Sequence, residues 1–301
     1  WEVSNLIEGL QHEIELFDDK KLNNLLNKVE LEIALVFENL KNTSLVIFNY
    51  FTSIAFSNSN IKKNNLDWLA SKLNEYLDSN SPKNVKLIDL ERRISKIGIE
   101  RSIDYRFFYS SKSLYKIDFY KVYVEHIKPL LLSSNGKAKK ALIFDCDNTL
   151  WKGILGEDGF DSIEMSAFTK NGKIFREIQN IALSLSKQGV LLGICSKNNK
   201  SDVDEVISNH EDMLLSNDIL TIKKVNWVDK ATNLRDMAQE LNIGLNSFVF
   251  VDDSSFEINL IKEQLPEVKV LQVPTRLHDY PNLLRNNLAL FYNLSYTKED
   301  K

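Results

Sequence analysis

Two aspartates, Asp145 and Asp147, follow directly on an uninterrupted apolar run at residues 141–144. Such a run is typical of a strand buried on both faces at the centre of a parallel sheet. Because side chains alternate along an extended chain, we expect the two carboxylates on one side of the backbone and Cys146 on the other. Two carboxylates at a strand end repel each other unless a cation or a proton lies between them. Mg²⁺ prefers oxygen ligands, so the pair predicts a magnesium site.

A second apolar strand is predicted to end at Ser196, Lys197 and Asn198, just before a helix. A hydroxyl and backbone N–H groups at the start of a helix suit phosphate binding. Ser196 could equally begin a turn or cap the helix, as serine often does. Lys230 is predicted to open a later helix, where its charge opposes the helix dipole. An anion facing Lys230 would remove that conflict, which makes it the candidate cation for a phosphate.

A further apolar strand is predicted to end in Asp252 and Asp253, with a helix following. Asp253 is expected to complete the magnesium site begun by the first acid pair, and Asp252 to be an alternate ligand or to support the others. Ser254 and Glu257 have the spacing of a helix capping box. Three predicted strand ends thus carry polar side chains: the first acid pair, Ser196 and the second acid pair. Together with Lys230 they predict one shared site.

The segments between these residues are short. Between Asp147 and Ser196, and between Lys230 and Asp252, there is room for little more than a helix and a strand, so neither can hold a separate cap domain. The sequence therefore predicts a doubly wound α/β sheet without a large cap, and an open site that suits a bulky or protein-tethered substrate. The glycine-rich residues 153–159 are predicted to form a short hairpin lid, although an ordinary β-turn remains open.

The part before this sheet also alternates helical and strand patterns, with apolar strands predicted at 44–48 and 85–88. Residues 1–135 are predicted to form a smaller α/β scaffold or docking domain, and residues 136–301 the catalytic domain. The polar, small residues 133–139 are predicted to link them.

Composition limits the possible partners and locations of the 301-residue chain. Its net charge is −4 and it has no basic run, so nucleic acid is not an expected partner. It has no apolar run of about 18 residues and no leader-like start, so no membrane partner is expected. The two cysteines, Cys146 and Cys195, lie at different predicted strand ends, which fits a reduced, cytoplasmic setting. The start at Trp1 suggests an excised domain.

The segments around Asp145, Ser196, Lys230 and Asp252, in this order, resemble the motifs of the haloacid dehalogenase (HAD) superfamily of phosphotransferases. Within that superfamily they resemble the FkbH-like glyceryltransferase/phosphatase group. The likeness covers residues 140–275 well. The preceding unit loosely resembles a truncated SGNH-type lipase/esterase segment, but it has no Gly-Asp-Ser block. One departure is Ser254-Ser255, where many relatives carry Asn-Pro. The matching segments are Asp145-Cys146-Asp147-Asn148-Thr149-Leu150-Trp151-x-Gly153, Gly156-Glu157-Asp158-Gly159, Cys195-Ser196-Lys197-Asn198, Trp227-x-x-Lys230-x-x-Asn233-Leu234 and Phe248-Val249-Phe250-Val251-Asp252-Asp253.

The resemblance implies an enzyme that takes 1,3-bisphosphoglycerate, removes phosphate and transfers the glyceryl unit to the phosphopantetheine thiol of an acyl carrier protein, in polyketide-type biosynthesis. Asp145 is expected to be the phosphoryl acceptor and an Mg²⁺ ligand. Asp147 is expected to be the general acid/base and to contact Mg²⁺ through its carbonyl. Two alternatives remain open: a plain Mg²⁺-dependent phosphatase acting on a phosphoprotein or small phosphate ester, and a non-catalytic carrier-docking domain.

Cys146 is a candidate carrier of the acyl group as an enzyme thioester. Three considerations oppose this role. Strand alternation turns its side chain away from Asp145, and neighbouring carboxylates raise the pKa of a thiol. Free cysteine is also commonly a buried packing residue.

Overall fold

The computed structural model describes residues 1–57 and 64–292. The chain divides into two compact units, Trp1–Lys128 and Pro129–Lys301. The division falls within a helix, Ile117–Ser134, which also takes in the first two residues of the segment predicted as a linker. The predicted domain boundary after residue 135 stays a prediction.

The first unit is a two-stranded parallel sheet with helices. Its elements are α1 (Leu10–Glu13), α2 (Asp19–Leu40), β1 (Val46–Asn49), α3 (Asn65–Asn80), β2 (Val85–Ile88), α4 (Leu90–Ile97), α5 (Ile99–Ser102), α6 (Tyr105–Ser111) and α7 (Ile117–Ser134). In β1 and β2 the pairing runs from Val46 opposite Val85 to Asn49 opposite Ile88. The observed β1 begins two residues later than predicted, since Asn84 Nδ2 binds the carbonyl oxygens of Leu40 and Thr43 and holds that stretch as a turn.

The second unit is a five-stranded parallel sheet in the order β5-β4-β3-β6-β7. Its elements are β3 (Ala141–Phe144), α8 (Leu155–Asp158), α9 (Gly172–Lys187), β4 (Leu191–Ser196), α10 (Lys200–Asn209), β5 (Leu220–Val225), α11 (Lys230–Glu240), β6 (Phe248–Asp252), α12 (Ser255–Gln264), β7 (Lys269–Gln272) and α13 (Tyr280–Asn287). Short 3₁₀ turns lie between several of these elements.

Strand β3 is the centre of the second unit because both of its faces are apolar and buried. On one face Phe144 packs in a core with α9, α10 and α13, and on the other Ile143 packs with α11 and α12. Helices on both faces make the sheet doubly wound, as the sequence predicts. Gly193 in β4 permits the close approach of neighbours, since a Cβ there would lie 2.7 Å from Ile143 Cδ1 and 2.9 Å from the Ile222 oxygen.

The strand register places the candidate residues at one edge. Ala141 lies opposite both Leu191 and Phe248, so β3, β4 and β6 run level with one another. Their carboxyl ends therefore meet, and that is where ligands bind in open α/β sheets. Among residues 140–292, no inserted domain interrupts the sheet.

The predicted hairpin lid at residues 153–159 is wrong in its detail. The segment forms the one-turn helix α8, because the Asp158 and Gly159 N–H groups donate to the carbonyls of Ile154 and Leu155. Asp158 Oδ2 also accepts from the Ile154 N–H at 2.7 Å, which closes the turn.

In the described part of the chain, none of the helices combines the length and apolar character needed to cross a membrane.

Candidate active site

Four charged side chains meet at the carboxyl ends of β3 and β6. Carboxylate oxygens of Asp145, Asp252 and Asp253 lie within 4.8 Å of one another. Lys230 Nζ lies 3.0 Å from Asp145 Oδ1 and 2.6 Å from Asp252 Oδ2. Three distant stretches of sequence thus supply one compact site.

Local structure explains how Lys230 arrives there. Asp229 caps α11 by accepting from the Thr232 N–H at 2.8 Å, so Lys230 is the first residue of the helix. The lysine is almost fully buried, and the anions that the sequence argument required are two carboxylates. Burial alone would lower the pKa of Lys230, but the charges of Asp145 and Asp252 outweigh it and raise that pKa.

The acids carry more negative charge than Lys230 neutralises. Burial, and then the charge of Asp145, raise the pKa of Asp252 above its usual range. The same two causes raise the pKa of Asp253. Neighbouring carboxyl groups resist ionising together because their negative charges repel each other. A divalent cation between them would stabilise the ionised carboxylates. The donors present therefore fit Mg²⁺.

Asp147 lies beside this cluster, and its carboxylate has other partners. It accepts hydrogen bonds of 3.0 Å from the Trp151 indole, the Leu155 N–H and the Asn198 amide. Its side-chain oxygens are not part of the three-aspartate group, and the predicted contact of its carbonyl with Mg²⁺ stays a prediction. Burial raises the pKa of Asp147, although the hydrogen bonds from Leu155 and Trp151 oppose it. A raised pKa keeps a proton available, which suits a general acid.

Asn148 shapes the turn that carries these groups. Its φ of 51° lies in the left-handed region, which asparagine tolerates better than most residues. Its side-chain oxygen accepts from Lys152 Nζ at 2.8 Å and from the Gly153 N–H at 3.2 Å. The turn is therefore held by its own side chain.

Three residues at the end of β4 contact side chains from other parts of the second unit. Ser196 is buried, and its side chain contacts the Cys146 thiol. Asn198 connects Asp147 to the start of α10. Lys197 pairs with Glu257 at 2.7 Å. The predicted phosphate-binding roles of Ser196, Lys197 and Asn198 stay predictions.

The Cys146 thiol is enclosed in the apolar core on the side away from Asp145, with 0% of the residue exposed. Burial and the charge of Asp145 raise the pKa of this thiol well above its usual value. Little thiolate forms under such conditions. The predicted role as an acyl carrier stays a prediction, and the burial counts against it.

Sequence reasoning missed two supporting residues. Trp151 is buried, and its indole N–H donates to Asp147. The sequence shows that Trp151 follows Asp147 by four residues, but no sequence pattern assigned it a hydrogen-bond partner. Tyr280 in α13 is also buried, and its hydroxyl donates to the Thr149 carbonyl at 3.1 Å. Nothing in the sequence links Tyr280 to a turn so far away along the chain.

No protein-family model and no curated protein matches the chain. Among solved structures, it is similar to the N-terminal part of the protein BF1531 from Bacteroides fragilis, which contains a phosphatase domain complexed with Mg. That likeness has a TM-score of 0.81 and 28% identity, and covers 95% of this chain and 77% of the other. A HAD-family enzyme from Bacteroides thetaiotaomicron, complexed with magnesium and inorganic phosphate, covers 44% of this chain and 93% of its own, at a TM-score of 0.31 and 12% identity. The first likeness spans nearly the whole chain and confirms the predicted α/β fold; the second is partial and adds nothing to that conclusion.

Proposed function

We propose that the protein is an Mg²⁺-dependent phosphatase of the HAD superfamily that transfers a phosphoryl group to Asp145. The observation that carries the proposal is the convergence of Asp145, Asp252, Asp253 and Lys230 at two adjacent strand ends. The likeness to a magnesium-complexed phosphatase domain supports it.

The side chains divide the chemistry between them. One Asp145 oxygen attacks phosphorus and the bond to the leaving oxygen breaks, while Lys230 balances the charge of the phosphate. Asp147 gives its proton to the leaving oxygen and then takes one from the water that releases phosphate from Asp145. A magnesium ion held by Asp145, Asp252 and Asp253 would supply further charge neutralisation.

Within this chemistry, the finer activity we propose is glyceryl transfer from 1,3-bisphosphoglycerate to the phosphopantetheine thiol of an acyl carrier protein, with dephosphorylation. The motif resemblance supports it, as does a sheet edge without a cap domain inserted in residues 140–292, which leaves room for a protein-tethered thiol. The acyl phosphate is already activated, so the carrier thiol attacks the carbonyl carbon, gives up its proton to solvent and expels the C1 phosphate. The C3 phosphoryl group then passes to Asp145 and is released by water, which leaves the glyceryl thioester on the carrier. The burial of Cys146 supports direct attack by the carrier thiol.

Intact-protein mass spectrometry tests the finer activity. The protein, Mg²⁺ and 1,3-bisphosphoglycerate are incubated with holo carrier protein, and with apo carrier protein as the control. We expect the holo carrier alone to gain the mass of one glyceryl unit. Phosphate release with no gain on the holo carrier would leave the plain phosphatase as the function.

We expect Asp253→Asn to raise the Mg²⁺ concentration needed for half-maximal phosphate release by about tenfold or more, because one of three converging carboxylates is lost. Asp236→Asn, an exposed aspartate on α11, is the matched control and should leave the requirement unchanged. Phosphate release by the parent protein that persists in excess EDTA would contradict the metal assignment.

We expect Cys146→Ala to retain both phosphate release and carrier loading, since the thiol is enclosed in the core. Removing the buried sulfur should cost about 1 kcal/mol of unfolding free energy, near the typical effect of a point mutation. The masses of enzyme and carrier are followed in parallel. Loss of carrier loading with phosphate release intact would instead establish an enzyme thioester.

A further inference from the structure

Glu257 has a buried carboxylate that helix capping does not use. The predicted capping box is only half formed: Ser254 Oγ accepts from the Glu257 N–H at 3.4 Å, but the Ser254 N–H donates to Asp252 Oδ1 at 2.8 Å. The aspartate at the end of β6 has taken the donor that Glu257 was expected to bind. The Glu257 side chain is therefore directed elsewhere, with 7% of the residue exposed.

That carboxylate is directed at Lys197. Glu257 Oε1 accepts from Lys197 Nζ at 2.7 Å, and the enclosed Oε2 has no hydrogen-bond partner in the described part of the chain. Burying a carboxylate is costly, and one lysine bond compensates only part of it. Lys197 is the less buried partner, with 33% of its side chain exposed. The pair thus holds the Lys197 ammonium at a surface, while the second Glu257 oxygen stays enclosed.

Lys197 lies on the catalytic side of the sheet. It follows Ser196 at the end of β4. Cys195, two residues before Lys197, packs with α11 and α12, on the face of the sheet to which Asp145 also turns. Glu257, the partner of Lys197, is in the first turn of α12, which begins two residues after Asp253. Lys197 therefore lies at the same end of the sheet as the acid cluster.

The two lysines differ in what they can do. Lys230 is buried and bound to Asp145 and Asp252, so it can balance the charge only of a phosphate that lies at Asp145. Lys197 has one buried partner and an accessible ammonium. In a small substrate whose reacting phosphate lies at Asp145, a second anionic group would face the accessible ammonium of Lys197.

We propose that Lys197 binds a second anionic group of the substrate and that Glu257 is the positioning residue that holds it there. The natural substrate then belongs to the class of short phosphorylated acids with two anionic groups. The inference rests on the proposed function and narrows it.

Binding of stable anions tests the inference without turnover. Binding of 2,3-bisphosphoglycerate and of inorganic phosphate, in Mg²⁺, is measured by titration calorimetry. Since a charge-assisted hydrogen bond is lost, we expect Lys197→Met to reduce the preference for the bisphosphate about ten- to hundredfold. Glu257→Gln should reduce the preference less, and Lys197→Arg should retain most of it. Lys200→Met, an exposed lysine that pairs with Asp204, is the matched control and should leave the preference unchanged.

Kinetics give the second readout. The ratio of kcat/KM for 1,3-bisphosphoglycerate to that for acetyl phosphate should fall in Lys197→Met and Glu257→Gln, mainly through KM. If the ion pair is only structural, its loss would lower thermal stability and weaken the binding of both ligands equally. That result, or an unchanged preference, would overturn the inference. If the parent protein releases phosphate from neither compound, the proposed function fails, while the binding comparison still decides the role of Lys197.

Discussion

Asp145→Asn is expected to reduce phosphate release by at least about a thousandfold, because an amide neither attacks phosphorus nor ligates Mg²⁺ as a carboxylate does. The fold should survive, since Lys230 keeps its 2.6 Å bond to Asp252. Phosphate release from 1,3-bisphosphoglycerate and from acetyl phosphate is the measurement, with circular dichroism confirming the fold.

Asp161→Asn is the matched control, because that aspartate is exposed in the same unit and is not part of the acid cluster. It should release phosphate at the parent rate. An Asp145→Asn protein that is folded and nearly as active as the parent would show that the chemistry occurs elsewhere.

Lys230→Met is expected to have the second largest effect, on stability as well as activity. It leaves Asp145 and Asp252 buried together with no cation between them, and removing one partner of a buried pair costs about 3–5 kcal/mol. We expect added Mg²⁺ to restore part of that loss, since the ion would replace the missing positive charge. Urea unfolding with and without Mg²⁺ measures both effects.

Lys224→Met is the control for Lys230→Met, since Lys224 pairs with Glu240 at the surface and surface pairs contribute little. Its unfolding free energy should stay within about 1 kcal/mol of the parent. If Lys230→Met is as stable as the parent without Mg²⁺, the buried charges are not coupled as the distances indicate.

The strand ends were predictable because their signals are local. The apolar runs before Asp145, Ser196 and Asp252 identify buried strands, and a parallel sheet brings their ends to one edge whatever the lengths between them. The misfit of a lysine at a helix start was also a local signal, and it correctly indicated that Lys230 faces anions.

The partners of individual side chains were not predictable in the same way. The Glu257 spacing predicts a capping box, but Asp252 competes for the same N–H and the carboxylate turns to Lys197. Tyr280 reaches Thr149 only because α13 packs against the sheet face. Such choices depend on which groups tertiary packing brings together, and sequence spacing does not record that.

The burial of both cysteines has a practical consequence. Cys146 and Cys195 are enclosed and their thiol pKa values are raised, so alkylating reagents should find the folded second unit almost unreactive. A cysteine introduced as Trp227→Cys, at a side chain that is 71% exposed between β5 and α11, would then be a single addressable position. A fluorophore or spin label attached there, three residues before Lys230, would report the arrival of a ligand without any background from the native thiols.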